Sequence, residues 1–215
     1  MKNRLLSLLG ATTMVVLFLA TGLVSAQSLN FSDVSSNDWF AADVENLVTL
    51  GVIDGSQPAY RPADSANRAE MSKLIIEAFD IPLESPQFQT FTDVPTSQWY
   101  FKYVETMAMN GIAVGYTDAN GNLTENFGPQ DPITREQAAK MIILGASLPI
   151  NQECTAVFSD VTHTMWSYEY VNTLYANSIV EGYEDGTFLP HKNINRAEIA
   201  RIISKSLTPQ AKACS

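Results

Sequence analysis

Three arginines occupy the same place in a short recurring motif: Asn67-Arg68-Ala69-Glu70, Thr134-Arg135-Glu136-Gln137 and Asn195-Arg196-Ala197-Glu198. Asn or Thr followed three residues later by Glu or Gln marks a helix start. It is a capping box in the second copy and a close relative of one in the other two. The cap accounts for the first and fourth residues of the motif but not for the arginine. That residue falls at the first helical position, where the helix dipole opposes a cation by ~0.3–1 kcal/mol. Two explanations stay open. One is an ion pair with Asp33, Asp93, Asp160 or another acid. The other is an anion site, in which a guanidinium beside free helix N–H groups holds a carboxylate or phosphate through two parallel bonds.

Three tryptophans recur with the same regularity. Trp39, Trp99 and Trp166 each follow, by eight residues, the Phe of Phe31-Ser32-Asp33-Val34, Phe91-Thr92-Asp93-Val94 and Phe158-Ser159-Asp160-Val161. Each is read either as a packing anchor or as an aromatic platform at the rim of a sugar site. The Asp of that motif is expected to cap a turn. Other groups carry less. Asp118 to Glu125 is oxygen-rich, but its Gly is misplaced for an EF-hand loop and it reads as a solvated loop. His163 and His191 have no recognisable Ser or Cys partner motif. No pair of carboxylates stands out as acid and base, and no Cys/His cluster has metal-ligand spacing, so neither catalysis nor a cofactor is expected.

The elements that must position these residues repeat with them. The spacing between the Phe motifs is 60 and then 67 residues, and each signature arginine precedes the next Phe by 23. Units of this length cannot each bury a core alone. Two helices per unit are predicted. The first opens around the Trp and carries Phe40, Val44, Leu47 and Val48 on one face; Val104, Met107 and Ala108, then Val171, Leu174 and Tyr175, match them. Gly51 and Gly111 are expected to end it in a left-handed position that Ser178 takes in the third unit. The second helix opens at the arginine, with Met71, Leu74, Ile75, Ala78 and Phe79 as its apolar face, and Pro82, Pro86 and Pro149 are expected to stop these helices. Between the two lies a loop ending in aromatic-x-Pro: Tyr60, Phe127 and Phe188 each precede a Pro by two. The second loop is longer by 7 residues, which accounts for the unequal spacing. The expected fold is mainly α. Three helix-loop-helix repeats, over residues 31–82, 91–149 and 158–209, form a pseudo-threefold bundle with one helix per unit along the axis and loops outside.

Residues 1–26 read as a secretory signal peptide. Lys2 and Arg4 precede an apolar stretch from Leu5 to about Val24, and Val24-Ser25-Ala26 offers small residues for cleavage. The other reading is an uncleaved anchor, since the stretch nearly spans a bilayer. Cleavage leaves 189 residues and takes the formal charge from −10 to −12. So acidic a chain argues against nucleic acid and anionic lipid as partners, and the mature chain is expected to be a monomer away from the membrane. Cys154 and Cys214 bracket the third repeat, and export makes a disulfide between them plausible, worth roughly 4 kcal/mol before strain.

Taken together, the motifs resemble the S-layer homology family. Phe-x-Asp-Val, Trp, a Gly loop with Tyr after the Gly in two of the units, aromatic-x-Pro and a Thr/Asn-Arg-Ala-Glu type signature follow in that order in each of three units, over about residues 31 to 209. The resemblance implies a three-repeat bundle that anchors exported proteins noncovalently to the bacterial cell wall. Its partner would be an anionic wall polysaccharide or peptidoglycan-linked polymer, often pyruvylated, bound in grooves between repeats. The resemblance implies Arg68, Arg135 and Arg196 as ligand residues, with Trp39, Trp99 and Trp166 and the loop tyrosines Tyr116 and Tyr183 beside them. The first unit departs from the pattern with Gly55-Ser56, and Gln137 replaces Glu in the second. The first functional reading is therefore an envelope polysaccharide-binding module whose mature chain is almost wholly repeat. The alternative is a structural protein–protein module of the exported envelope, and a glycan hydrolase is the third.

Overall fold

The computed structural model describes residues 30–151, 155 and 158–212. The expected signal peptide and the Cys154–Cys214 pair lie outside the described residues. Among those residues the chain forms six α-helices: α1 Ala41–Thr49, α2 Arg68–Ala78, α3 Phe101–Met109, α4 Arg135–Gly145, α5 Tyr168–Ala176 and α6 Arg196–Ser206. Strand structure is limited to isolated bridges, so the mainly α expectation holds. No helix among the described residues is long and apolar enough to cross a membrane.

Local chemistry sets the helix ends. Asn67, Thr134 and Asn195 are the N-caps of α2, α4 and α6, and all three are complete capping boxes rather than one box and two relatives. Asn67 Oδ1 accepts the Glu70 N–H at 2.8 Å while Glu70 Oε2 accepts the Asn67 N–H at 2.9 Å. The first helices end as expected, with Gly51, Gly111 and Ser178 in left-handed conformation at φ 76°, 67° and 58°. The second helices are not stopped by proline. Asp80 and Ser147 turn left-handed, at φ 50° and 52°, two residues before Pro82 and Pro149. The chain has already left the helix when the proline arrives.

Packing is between repeats. The first helix of each unit lies against the second helix of another: α3 on α2, α5 on α4 and α1 on α6. The second helices also meet, α2 with α4 and α4 with α6. Val44, Leu47, Met71, Ile75, Val104, Met107, Ile142, Leu174 and Ile203 are fully enclosed in one apolar cluster. Burying each such side chain is worth roughly 1.5–3 kcal/mol. The loops do not merely decorate the outside. Tyr60, Phe127 and Phe188 are buried, and Phe127 and Phe188 are among the most enclosed large side chains.

Ahead of the second helices, three backbone hydrogen bonds form a closed ring. Ala66 N–H donates to Ile194 O at 3.3 Å, Ile194 N–H to Ile133 O at 3.0 Å, and Ile133 N–H to Ala66 O at 3.1 Å. Each repeat gives one bond and takes one. The ring lies beside the three capping boxes, so it fixes where each signature arginine starts.

Candidate functional site

Each signature arginine reaches out of its own repeat. Arg68 Nε donates to Phe127 O at 2.7 Å, Arg135 Nε to Phe188 O at 2.8 Å, and Arg196 Nε to Tyr60 O at 2.8 Å. The aromatic whose carbonyl is taken also supplies its ring. The guanidinium carbons of Arg68, Arg135 and Arg196 lie 4.4, 4.7 and 4.8 Å from the rings of Phe127, Phe188 and Tyr60. Tyr116 covers Arg68 at 4.9 Å, and Tyr183 covers Arg135 at 4.9 Å.

The charge partners are other acids than the three aspartates. Arg135 Nη1 stands 3.6 Å from Glu198 and Arg196 Nη1 stands 3.9 Å from Glu70, so the partner is the capping-box carboxylate of another repeat. Gln137 holds the corresponding place opposite Arg68. There Nη2 donates to Val114 O at 3.1 Å. Burial pushes the Arg68 guanidinium below its ordinary value, against the opposing influence of Tyr116, Asp131 and Asp93. For Glu198, burial works upward. The Tyr183 hydroxyl at 2.6 Å, the Asn195 N–H and the Arg135 charge outweigh it and hold the carboxyl below the usual range.

Asp33, Asp93 and Asp160 do cap turns, but the turns lie about 30 residues further along the chain. Each carboxylate receives two N–H groups from the distant loop of its own repeat: Tyr60 and Arg61, Phe127 and Gly128, Phe188 and Leu189. All six bonds are 2.7–2.8 Å long. The second residue of each pair is left-handed, with φ of 59°, 70° and 55°. A carboxylate thus clamps the strained turn that presents the aromatic carbonyl to the arginine.

The tryptophans are half-exposed, at 51–54%, and so are not buried anchors. Their rings stand where a groove opens. One cavity of about 450 Å³ is lined by Trp39 of the first repeat, Arg135 of the second, and Tyr183, Glu198 and Arg201 of the third. A second, of about 310 Å³, is lined by Trp99 of the second repeat, Arg196 of the third, and Asp54, Tyr60, Glu70 and Lys73 of the first. The two match in rotated order in their Trp, signature Arg, capping-box Glu and second cation, but not in their tyrosines. At the remaining tryptophan, Lys140 lies 5.9 Å from the Trp166 ring.

Sequence reasoning missed a second cation. Lys73, Lys140 and Arg201 each stand five residues after a signature arginine, and Arg201 lies 4.7 Å over the Trp39 ring. The regular spacing was visible, but nothing in one unit's sequence says that its cation meets another unit's tryptophan. Arg201 is also engaged structurally, bonding Trp39 O at 2.8 Å and Asp43 at 3.3 Å.

His191 is not arranged as a catalytic base. Glu136 accepts the buried Ser167 hydroxyl at 2.7 Å and lies 3.0 Å from His191 Nδ1. The carboxylate stands between hydroxyl and imidazole, so this histidine is not placed to deprotonate that serine. Asp118 takes the N–H groups of Asn120 and Asn122 within its own exposed turn. No group of three or more potential metal ligands occurs among the described residues.

Comparison with known proteins gives the same pattern a wider frame. The family model described as S-layer homology domain matches residues 30–72, 90–139 and 157–200. The chain is 28% identical over 184 residues to S-layer protein EA1 of Bacillus anthracis, covering 84% of this chain and 20% of that protein. It is 28% identical over 183 residues to an endoglucanase of Bacillus sp. strain KSM-635, covering 82% of this chain and 18% of that one. A cellulosome-anchoring protein of Acetivibrio thermocellus is 25% identical over 155 residues, or 69% of this chain and 33% of its own length. The chain thus spans about a fifth of the first two relatives and a third of the last.

Proposed function

The chain belongs to the S-layer homology domain family, and from that premise we propose that it anchors noncovalently to the bacterial cell surface by binding an anionic wall polysaccharide. The observation that carries this reading is the composition of the grooves. Each combines an arginine, a second cation and an exposed tryptophan drawn from three different repeats. Cations at groove depth suit a carboxylate or ketal-borne acid on the polymer. A half-exposed indole at the rim suits the apolar face of a sugar ring. The names of the relatives, an S-layer protein and a cellulosome-anchoring protein, support a cell-surface setting. The endoglucanase is matched over 18% of its length, so its activity is not carried across. The module acts here as a binder and not as a catalyst.

The test is sedimentation of the purified mature protein with wall fractions before and after chemical removal of anionic substituents. Binding to the untreated fraction and loss from the stripped one are expected. Lys73→Ala should weaken binding severalfold with an unchanged melting temperature, because Lys73 is only partly buried and its ion pair among the described residues is the helical one to Glu77 at 3.8 Å. Equal binding to both fractions would remove the anionic polymer as ligand. Recovery of envelope protein and no glycan would favour a protein–protein module.

A further inference from the structure

Resting on that reading of the grooves, we propose that the groove between the third and first repeats is the one whose guanidinium meets the ligand directly, and that Ser56 is the residue that permits it. Arg68 and Arg135 are each closed in between two rings, Tyr116 with Phe127 and Tyr183 with Phe188. Arg196 has the Tyr60 ring at 4.8 Å and, among the described residues, no second tyrosine over it. The difference begins in sequence. Gly55 is followed by Ser56 where Gly115 and Gly182 are followed by Tyr116 and Tyr183. The first loop also reaches its Tyr60 one residue sooner than the third reaches Phe188.

Exposure follows this difference. The Arg196 side chain is 21% exposed and that of Arg135 is 7%. Ser56 is turned to other work. Its hydroxyl donates to Asp54 Oδ1 at 2.7 Å and its N–H to the same atom at 2.9 Å, which keeps the short loop folded back on itself. Glu70 remains 3.9 Å from Arg196 Nη1, beyond hydrogen-bond length, while its other oxygen caps α2 through the Asn67 N–H. The guanidinium therefore offers one bare face and one unbonded edge to a cavity of about 310 Å³ that also holds Lys73 and Trp99.

A planar guanidinium takes an apolar or π face against its plane and a carboxylate along its edge. A sugar ring bearing a carboxylate, the ligand class of the reading this rests on, satisfies both. Its C–H face takes the place that a tyrosine ring holds over Arg68 and Arg135. Its carboxylate bridges the Arg196 edge and Lys73, and Trp99 flanks the ring. At the other two seams a tyrosine must first move aside.

The test titrates the mature protein with a methyl glycoside carrying a pyruvyl ketal and with the same sugar lacking the ketal, following the Trp99 indole N–H by NMR. The ketal sugar should shift Trp99 and the neutral sugar should not. Replacing residues 55–59 with the 182–187 segment installs the tyrosine lid and should weaken ketal-sugar binding at least tenfold. Arg196→Lys should do the same, since Lys keeps the charge and loses the fork. Thermal melts check that both variants fold, and the two act through different residues, so misfolding of one leaves the other as the test. Binding within twofold of the parent in a folded variant overturns the assignment. So does a parent protein that binds wall polymer but leaves Trp99 unshifted by the ketal sugar. A parent protein that binds neither sugar nor wall overturns the underlying reading as well.

Discussion

Tyr60 and Arg196, 136 residues apart, bind each other twice: the Tyr60 hydroxyl donates to the Arg196 carbonyl at 2.8 Å, and Arg196 Nε donates to the Tyr60 carbonyl at 2.8 Å. The pair joins the first repeat to the third. Burial drives the Tyr60 hydroxyl well above its ordinary pKa, so it stays a donor at any physiological pH. Phe occupies this position in the other repeats, as Phe127 and Phe188, so the ring's place is secure without the hydroxyl. Tyr60→Phe should therefore cost about 1 kcal/mol through one lost hydrogen bond. Urea unfolding of the purified protein measures it.

Arg68 should matter more for folding than Arg196. Arg68 is 5% exposed and donates to two carbonyls, while Arg196 keeps a bare face and one such bond. Arg68→Ala leaves buried carbonyls unpaired, and the expected loss is about 1.5–3 kcal/mol for each charge-assisted bond. Arg196→Ala should cost less stability and more binding. Parallel denaturation and wall-binding curves separate the two effects.

Gly128 holds the left-handed turn position that Arg61 and Leu189 fill in the other repeats, so it is its surroundings that favour glycine. It sits at φ 70°, and a Cβ there would run into the Asp131 carboxylate and the Tyr116 ring. Gly128→Ala is expected to destabilise by more than ~1 kcal/mol, because a left-handed residue already costs an L side chain that much before any clash. It should also shift the Tyr116 ring off Arg68. Calorimetry and the Tyr116 ring resonances report the two parts.

Acid should loosen the seam between the second and third repeats. The folded pKa of Glu198 is lowered, so its contribution is complete above the ordinary glutamate value of 4.5 and is lost as pH falls from there through the folded value. The melting temperature should drop across that window. Gln137 completes the equivalent capping box in the second repeat, so Glu198→Gln preserves the cap. That variant should melt lower than the parent at pH 7 and show a flatter acid limb.

Deletion of the first repeat should abolish cooperative folding of the remainder. The ring through Ala66, Ile133 and Ile194 loses a member, and α6 loses its partner α1. A chain starting at residue 88 is expected to show no sharp thermal transition by circular dichroism. A transition as steep as that of the intact protein would mean that two repeats are self-sufficient.

What the sequence made legible was what lies within one repeat. The capping boxes, the left-handed Gly51, Gly111 and Ser178, and the helices after each Trp and at each Arg follow from local chemistry, and the structure bears them out. What crosses between repeats was not legible. Asp160 reads as a turn cap, but which turn it caps is not evident until Phe188 and Leu189 are seen to fold back onto it. Arg135 reads equally as an ion-pair partner or an anion site until Glu198 and Tyr183 are seen beside it. No single-unit pattern encodes which neighbour a side chain will meet. The missing Tyr in the first loop was legible as a departure, but its consequence for Arg196 required the third repeat to be in view.

The ring of hydrogen bonds also sets an order in time. A chain emerges N-terminus first, yet Ala66 donates to Ile194 and α1 packs on α6. The opening repeat therefore lacks its last partner until nearly all of the chain is available, and contacts this distant in sequence form slowly. For as long as the third repeat is withheld, the first two have no complete core to settle into. The partly emerged chain stays pliant, and it becomes rigid only when its final helix arrives.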